Sequence, residues 1–162
     1  MIKTTDAEDA EFMRQAIRLA TEHMRAGHGG PFGALVVRRG QIVGTGWNQV
    51  TSANDPTAHA EVVAIRGAAA GLRAFHLRGC ILYSSSEPCP MCLGAAYWAR
   101  VDRIVFAGTH ADAAAIGFDD KELYTELSLP TAARRLPMQQ MLREDVLPVF
   151  AEWEAMADKT HY

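Results

Sequence analysis

The sequence predicts an α/β fold, a three-layer helix/sheet/helix sandwich around a mixed central sheet of about five strands. Short apolar runs typical of strands alternate with segments of helical periodicity, which favours parallel pairing of the later strands. A glycine-containing turn joins the first two runs into a hairpin at one edge of the sheet. No linker, repeat or low-complexity stretch divides residues 1–162, so we expect a single domain.

Composition limits the class of protein. Apolar residues make up 49% and charged residues 22% of the chain, as in an ordinary globular domain. Lys and Arg number 16 against 19 Asp and Glu, and the net charge of -3 provides no overall positive field for a nucleic acid. No apolar run approaches the roughly 18 residues of a membrane span. With an acidic N-terminal stretch and 3 cysteines, the chain is expected to be cytoplasmic, with neither nucleic acid nor membrane as a partner.

The first half of the chain predicts two helices and the hairpin. Apolar residues at helical spacing predict the first helix over 6–26, begun by a capping box between Thr5 and Glu8. Two apolar runs within 34–43 predict the hairpin strands. After a loop, a run of strong helix formers predicts a second helix that begins near Ala58.

The second half predicts two strands, a helix between them and a helical tail. The run from Cys80 and residues 103–107 are the strands, and a turn through two prolines opens the third helix. Glycine and proline interrupt 110–140, where we expect short helices and one more strand. An apolar stripe over 142–158 predicts a terminal helix.

Two short motifs carry chemistry. His-Ala-Glu at 59–61 is followed, after a helix and a strand, by Pro-Cys-Pro-Met-Cys at 88–92. Together they form the signature of zinc-dependent deaminases that act on nucleobases. Cys89 and Cys92 are three residues apart on the first turn of a helix, so their sulfur atoms share one face. His59, at the start of the other helix, completes three zinc ligands.

The ligand count favours a catalytic zinc. Three protein ligands leave the fourth tetrahedral position open, so we predict one Zn²⁺ per subunit with an activated water. Glu61 lies about 200° from His59 around an ideal helix. We therefore expect that Glu61 is not a zinc ligand and acts as general base and then general acid. A Cys-x-x-Cys pair also occurs in structural and redox sites. A structural zinc wants a fourth ligand, and we expect the remaining cysteine, Cys80, to be buried in its strand.

The chain resembles the bacterial guanine deaminases, a branch of the cytidine deaminase-like superfamily. The shared segments are GGPFGA, NDPTAHAEV, AIR, CILY, EPCPMCLGA, YWAR, DAA, GFDD and the terminal tyrosine. The zinc motif indicates the superfamily, and the other segments indicate the substrate branch. The resemblance implies a cytidine deaminase-like fold and hydrolysis of guanine to xanthine and ammonia.

The same resemblance implies further site residues. Asn48 corresponds to the contact with the purine edge and Phe32 to a stacking face, while backbone groups around Ala60 are expected to hold the purine. Asp120, in GFDD, corresponds to the residue that handles the substrate's amino group and proton. From the residues alone, a turn amide, a core aromatic ring and a helix-cap aspartate remain open as alternatives.

The resemblance also implies a homodimer. The family exchanges its C-terminal segment between subunits, which makes residues 142–162 a candidate for exchange. Tyr162 is then expected to close the active site of the partner. Packing of the apolar stripe on its own subunit explains the segment equally well.

Other functions stay open at this point. tRNA adenosine deaminases share the HAE and EPCPMC segments, but they must bind a polyanion, and here Lys and Arg pair only at 38–39 and 134–135. A guanosine or other nucleoside deaminase is a second alternative. A non-catalytic zinc-stabilised interaction module is a third, although such a module needs neither Glu61 nor an open coordination position.

Overall fold

A four-stranded sheet organises the first part of the chain. In the computed structural model, which describes residues 4–162, the strands are β1 (Gly33–Arg38), β2 (Gln41–Trp47), β3 (Cys80–Ser86) and β4 (Arg103–Gly108). Their order is β2-β1-β3-β4; β1 is antiparallel to both neighbours, and β3 runs parallel to β4. The predicted mixed sheet with a hairpin at one edge is confirmed.

The helices alternate with these strands as the sequence predicts. They are α1 (Asp6–Arg25), α2 (Val50–Ala53), α3 (Ala60–Leu72), α4 (Pro90–Ala99), α5 (His110–Ala115), α6 (Lys121–Ser128) and α7 (Arg143–Ala155). The capping box of Thr5 and Glu8 begins α1, and α3 begins two residues after the expected Ala58. The single turn of α2 lies in the stretch expected to be a loop.

The sheet has four strands in the described residues where about five were expected. The missing strand was expected within 110–140, which instead contains α5, α6 and a 3₁₀ turn at Thr131–Ala133. A capping box of Thr109 and Asp112 begins α5, and the residues that follow are mostly alanine, the strongest helix former. Local helix signals therefore decide this stretch.

Both faces of the sheet are buried, which gives the three layers. Side chains alternate along β1 and β3, because successive residues of a strand point to opposite faces. One face packs on alanines of α3 and α4 through Ala34, Val36, Cys80 and Leu82. The other face packs on α1 through Leu35, Val37, Ile81 and Tyr83. The helix/sheet/helix sandwich is confirmed.

Contacts divide the described residues into two units, 4–121 and Glu122–Tyr162. The first unit contains the sheet and the helices that cover it. The second contains α7, which includes Pro148 within the helix and exposes the apolar side chains of Val149, Phe150 and Trp153. That residues 1–162 form one domain stays a prediction. Among residues 4–162, no helix combines the length and the apolar character needed to cross a membrane.

Candidate active site

The two sequence motifs meet where two helices begin. His59 is the N-cap of α3, and Cys89 is the N-cap of α4. Cys92 lies in the first turn of α4, where Pro90 supplies the fixed φ that suits a helix start. The turn from β3 into α4 thus presents both sulfur atoms to the imidazole of His59.

The three predicted ligands form a cluster that fits a zinc ion. Their ligand atoms all lie within 4.8 Å of one another. Nδ1 of His59 is 3.6 Å from Sγ of Cys89 and 3.5 Å from Sγ of Cys92. Zinc–ligand lengths of about 2.0 Å to nitrogen and 2.3 Å to sulfur at a tetrahedral angle require a separation of about 3.6 Å. The side chains are therefore spaced as zinc requires.

The protonation of the two thiols favours metal binding at Cys89. The pKa of Cys89 is lowered to about 4, first by a hydrogen bond from the Cys92 thiol and then by one from His59. The pKa of Cys92 is raised, because its proton is shared first with Cys89 and further held by burial and by the carboxylate of Glu61. A hydrogen bond to Cys89 likewise raises the pKa of His59. Thiolates are the form that binds metal, so Cys89 offers the first sulfur ligand near neutral pH.

Glu61 lies beside this cluster and is buried. Its side chain is buried, with a 2.9 Å hydrogen bond from the Ser84 hydroxyl to Oε1. The Cys92 thiol donates to Oε2 over 3.4 Å. Burial raises the pKa of Glu61, which makes this carboxyl a better proton acceptor than an exposed one.

A cavity of about 520 Å³ opens onto His59, Glu61 and Cys89. This volume is in the range of small-molecule sites, which is about 300 to 1,000 Å³. Its walls include Phe32 and Phe118, whose rings meet edge to face with centroids 4.8 Å apart. The expected stacking residue thus lines the cavity, together with a second aromatic ring that the sequence analysis did not single out.

Asn48 is buried in the cavity wall with its amide orientation fixed. Its Oδ1 accepts hydrogen bonds from the backbone N–H groups of Gly30 and Val50, each at 3.3 Å. A side-chain amide has one carbonyl and one NH₂ group. Because the carbonyl serves the loop backbone, Nδ2 is the group that Asn48 can offer to a ligand, as a donor.

Asp120 lies in the cavity wall beside a histidine. Its Oδ1 is 3.1 Å from Nδ1 of His110, whose Nε2 is 3.5 Å from Oε1 of Glu87. The carboxylates that line the cavity are Glu61, Glu87, Asp119 and Asp120. Among the described residues that line it there is no Lys or Arg. The cavity wall is therefore rich in hydrogen-bond acceptors and lacks the cations that bind phosphate.

Two of the expected site residues, Ala60 and Tyr162, are not among the described residues that line the cavity. Ala60 is fully buried in the core and is absent from the described cavity lining, so only its backbone is suited to a ligand contact. Tyr162 belongs to the second unit, where its ring is exposed. The structure adds His110, Glu87, Phe118 and Asp119, of which the last two lie in the GFDD segment and Glu87 lies next to the zinc motif.

This combination of fold and metal cluster is that of the zinc-dependent deaminases. Residues 6–108 match the cytidine and deoxycytidylate deaminase zinc-binding region, and the chain belongs to that family. Within the family, it is 50% identical over 151 residues to the guanine deaminase of Bacillus subtilis (strain 168). That alignment covers 93% of this chain and 97% of the relative.

A solved structure and a second relative extend the comparison. A solved structure of guanine deaminase from Bacillus subtilis has a TM-score of 0.91 at 50% identity, covering 94% of this chain and 98% of that chain. A tRNA-specific adenosine deaminase of Buchnera aphidicola is 44% identical over 82 residues, which is 51% of this chain and 54% of the relative. The likeness to this tRNA deaminase covers about half of the chain, whereas the likeness to the guanine deaminase covers nearly all of it.

Proposed function

We propose that the chain is a guanine deaminase, which hydrolyses guanine to xanthine and ammonia in purine catabolism and salvage. The observation that carries the proposal is the similarity to a guanine deaminase along 97% of that relative's length, far beyond the zinc motif. The cavity, the ligand cluster and the buried glutamate supply the parts that such a hydrolysis needs.

His59, Cys89 and Cys92 would hold the zinc ion. When bound, zinc supplies the Lewis acidity that lowers the pKa of a water towards neutrality. Oε2 of Glu61 would be the oxygen that carries protons, because Oε1 accepts a hydrogen bond from Ser84 and ligation of Cys92 to zinc would remove the thiol proton that is donated to Oε2. Glu61 would pass one proton of the attacking water to a ring nitrogen of the purine, and then pass the second, from the hydroxyl group added to the ring carbon, to the amino group, which leaves as ammonia.

The purine is recognised by one donor and two aromatic walls. Nδ2 of Asn48 donates to an acceptor on the purine edge, since its Oδ1 is used by the loop backbone. Phe32 and Phe118 provide the apolar surface for the ring. Backbone groups near Ala60 complete the support from the start of α3.

Asp120 accepts a hydrogen bond from the amino group of the substrate and receives the ammonia that leaves. The acidic wall suits a neutral base that presents several N–H groups, such as guanine. It disfavours a nucleotide or an RNA, whose phosphates would need Lys or Arg that the described lining lacks. A nucleoside carries no phosphate, so guanosine must be separated from guanine by experiment.

The experiment is a substrate panel with purified zinc-loaded protein. Guanine, adenine, guanosine, cytosine and an adenosine-bearing tRNA anticodon stem are compared by ammonia release. We expect turnover of guanine. Turnover of another substrate with guanine untouched would assign a different branch of the family, and bound zinc with no turnover at all would favour the non-catalytic module.

Two variants separate the roles of Glu61 and His59. Glu61→Gln is expected to keep one zinc per chain and lose about 100- to 10,000-fold in kcat, because only the proton carrier is removed. His59→Ala is the matched control, which should lose metal affinity as well. Loss of zinc from the glutamine variant would contradict the assignment of Glu61 as a proton carrier.

We also propose a homodimer in which residues 142–162, part of the unit Glu122–Tyr162, are exchanged. Its support is the apolar surface of α7, where Val149 and Phe150 are 58% and 60% exposed and so offer area for a second copy. In this arrangement Tyr162 closes the partner's cavity. Deletion of residues 160–162 should impair guanine turnover while light scattering still reports a dimer. Full activity of the shortened chain would argue against this role of the tail.

A cytoplasmic location belongs to the same proposal. Cys80, Cys89 and Cys92 are all free thiols, and two of them must remain reduced to bind zinc. A reducing compartment provides that condition. Fractionation of cells that produce the protein is the direct test.

A further inference from the structure

His110 joins two acidic side chains that come from different parts of the fold. It is the first residue of α5, and its ring lies in the cavity wall. Nδ1 faces Oδ1 of Asp120 at 3.1 Å, within hydrogen-bond distance, and Nε2 lies 3.5 Å from Oε1 of Glu87. The ring therefore stands between the turn that carries the zinc ligand Cys89 and the loop that ends in Asp120.

The contact between His110 and Glu87 is fixed by hydrogen bonds of the backbone. Oε2 of Glu87 accepts a 3.1 Å hydrogen bond from the backbone N–H of His110. The backbone N–H of Glu87 in turn donates to the carbonyl of Gly108, the last residue of β4, over 2.8 Å. Thr109 caps the helix that begins at His110. These hydrogen bonds fix the backbone of His110 relative to the turn after β3.

Asp120 has a different kind of support. It follows Gly117, which adopts a positive φ of 93°, and it lies in the segment between α5 and α6. Its side chain is 18% exposed, so its carboxylate needs a donor other than bulk water. Nδ1–H of His110 is such a donor, and a hydrogen bond to a carboxylate is about twice as strong as one between neutral groups.

We propose that His110 is a positioning residue that holds the carboxylate of Asp120 towards the substrate through the Nδ1–H bond. The inference rests on the proposed function, because the role of Asp120 in handling the amino group belongs to that function. In this arrangement the imidazole carries its proton on Nδ1 and donates it to Oδ1 of Asp120. The other carboxylate oxygen of Asp120 then faces the substrate. His110 itself transfers no proton to the substrate.

Three substitutions at His110 distinguish positioning from packing. His110→Asn places an N–H donor close to the position of Nδ1, His110→Gln reaches towards the position of Nε2, and His110→Phe fills the space without a donor. With zinc-loaded enzymes and guanine, we expect His110→Phe to lower kcat about 10- to 100-fold, the usual cost of losing a residue that orients a functional group. We expect His110→Asn to recover most of kcat and His110→Gln to recover little. Zinc content and melting temperature are measured for each.

A double-mutant cycle shows whether His110 acts through Asp120. In the Asp120→Ala background, His110→Phe should cause no further loss of kcat. An equal loss in both backgrounds, equal activity of the Asn and Gln variants, or an unchanged kcat in His110→Phe would each overturn the inference.

A readout without catalysis separates this inference from the proposed function. In protein with ¹⁵N-labelled histidine, the His110 ring should give a downfield Nδ1–H signal that Asp120→Asn shifts upfield and Asp158→Asn leaves unchanged. If guanine is not turned over but this signal behaves as expected, the proposed function is wrong while the hydrogen bond between His110 and Asp120 is supported. If guanine is turned over and Asp120→Asn leaves the signal unchanged, the hydrogen bond between His110 and Asp120 is contradicted.

Discussion

Gly46 on β2 and Ala60 at the start of α3 meet backbone to backbone. A Cβ atom added to Gly46 would lie 2.1 Å from the carbonyl oxygen of Ala60 and 2.6 Å from the backbone nitrogen of Ala64. No real Cβ atom makes such contacts, so the first turn of α3 reaches its position only because residue 46 has no side chain. His59 and Glu61 are carried by this turn, so the close approach also positions the site.

The first prediction concerns this contact. Gly46→Ala should push α3 away from the sheet, lower the free energy of unfolding by about 1–3 kcal/mol or more, and weaken zinc binding. Gly67→Ala is the matched control, since its Cβ would come no closer than 4.0 Å to Thr45 O. On the exposed face of α3, that alanine should add up to about 1 kcal/mol through helix propensity. Urea unfolding and zinc analysis measure both, and a Gly46→Ala protein as stable as the parent would contradict the account.

A second prediction follows from the fixed amide of Asn48. Asn48→Asp keeps an oxygen for Gly30 and Val50 but replaces the Nδ2 donor with a second acceptor. We expect KM for guanine to rise about 10- to 100-fold, the effect of losing a donor worth roughly 1–3 kcal/mol, and we expect some loss of stability at neutral pH because a carboxylate is buried in the acidic cavity wall. Asn48→Ala, which loses both functions, should also destabilise the protein. Unchanged KM in the aspartate variant would show that the amide does not contact the purine.

Thiol reactivity gives a third prediction, on metal removal. Because the pKa of Cys89 is lowered to about 4, Cys89 is a thiolate throughout the range from pH 6 to 8. In chelator-treated protein, iodoacetamide should modify Cys89 at a rate that is nearly flat over this range, whereas an ordinary thiol reacts about tenfold faster per pH unit. Cys80 is the internal control, since it is fully buried and burial raises its pKa. Zinc should protect Cys89, and a rate that climbs steeply with pH would contradict the lowered pKa.

Acid stability is the fourth prediction and concerns Asp9 at the start of α1. Burial alone would raise its pKa, but hydrogen bonds from Thr4, Tyr83 and Arg103 outweigh burial and lower it. Arg103 contacts both carboxylate oxygens, at 2.6 and 2.7 Å, and the Tyr83 hydroxyl donates at 2.6 Å. A lowered folded-state pKa contributes stability that is complete above the unfolded value of about 3.9 and is lost as the pH falls through the folded value.

Asp9→Asn tests this contribution. At pH 7 it should cost roughly 1–3 kcal/mol, because Arg103 and Tyr83 lose a charged partner. The difference from the parent should shrink as the pH falls below about 4, where Asp9 of the unfolded parent becomes protonated, and should be lost as the pH passes the lowered pKa of the folded protein. Metal release in acid is common to both proteins and cancels in the difference, and Asp158→Asn serves as an exposed control. A constant difference between pH 7 and pH 3 would show that Asp9 does not titrate as described.

Features that depend only on neighbouring residues could be predicted from the sequence. The capping box of Thr5 and Glu8, the prolines before α4 and the alternation along β1 act within a few residues, so their outcome could be predicted. The spacing of Cys89 and Cys92 likewise fixed both sulfur atoms on one helical turn. The same local signals misled at 110–140, where a fifth strand was expected and helix capping prevailed, and they missed the single turn of α2.

Which distant groups share the cavity depends on the way the strands and helices pack. The parallel register of β3 and β4 sets Ser86 beside Gly108, so Glu87 and His110 leave adjacent strand ends and meet. Nothing in the local sequence of either segment specifies that register, which depends on how both sheet faces are packed. The orientation of the Asn48 amide, the ring between two carboxylates and the backbone approach at Gly46 all arise in this way, because they depend on contacts between residues far apart in the chain.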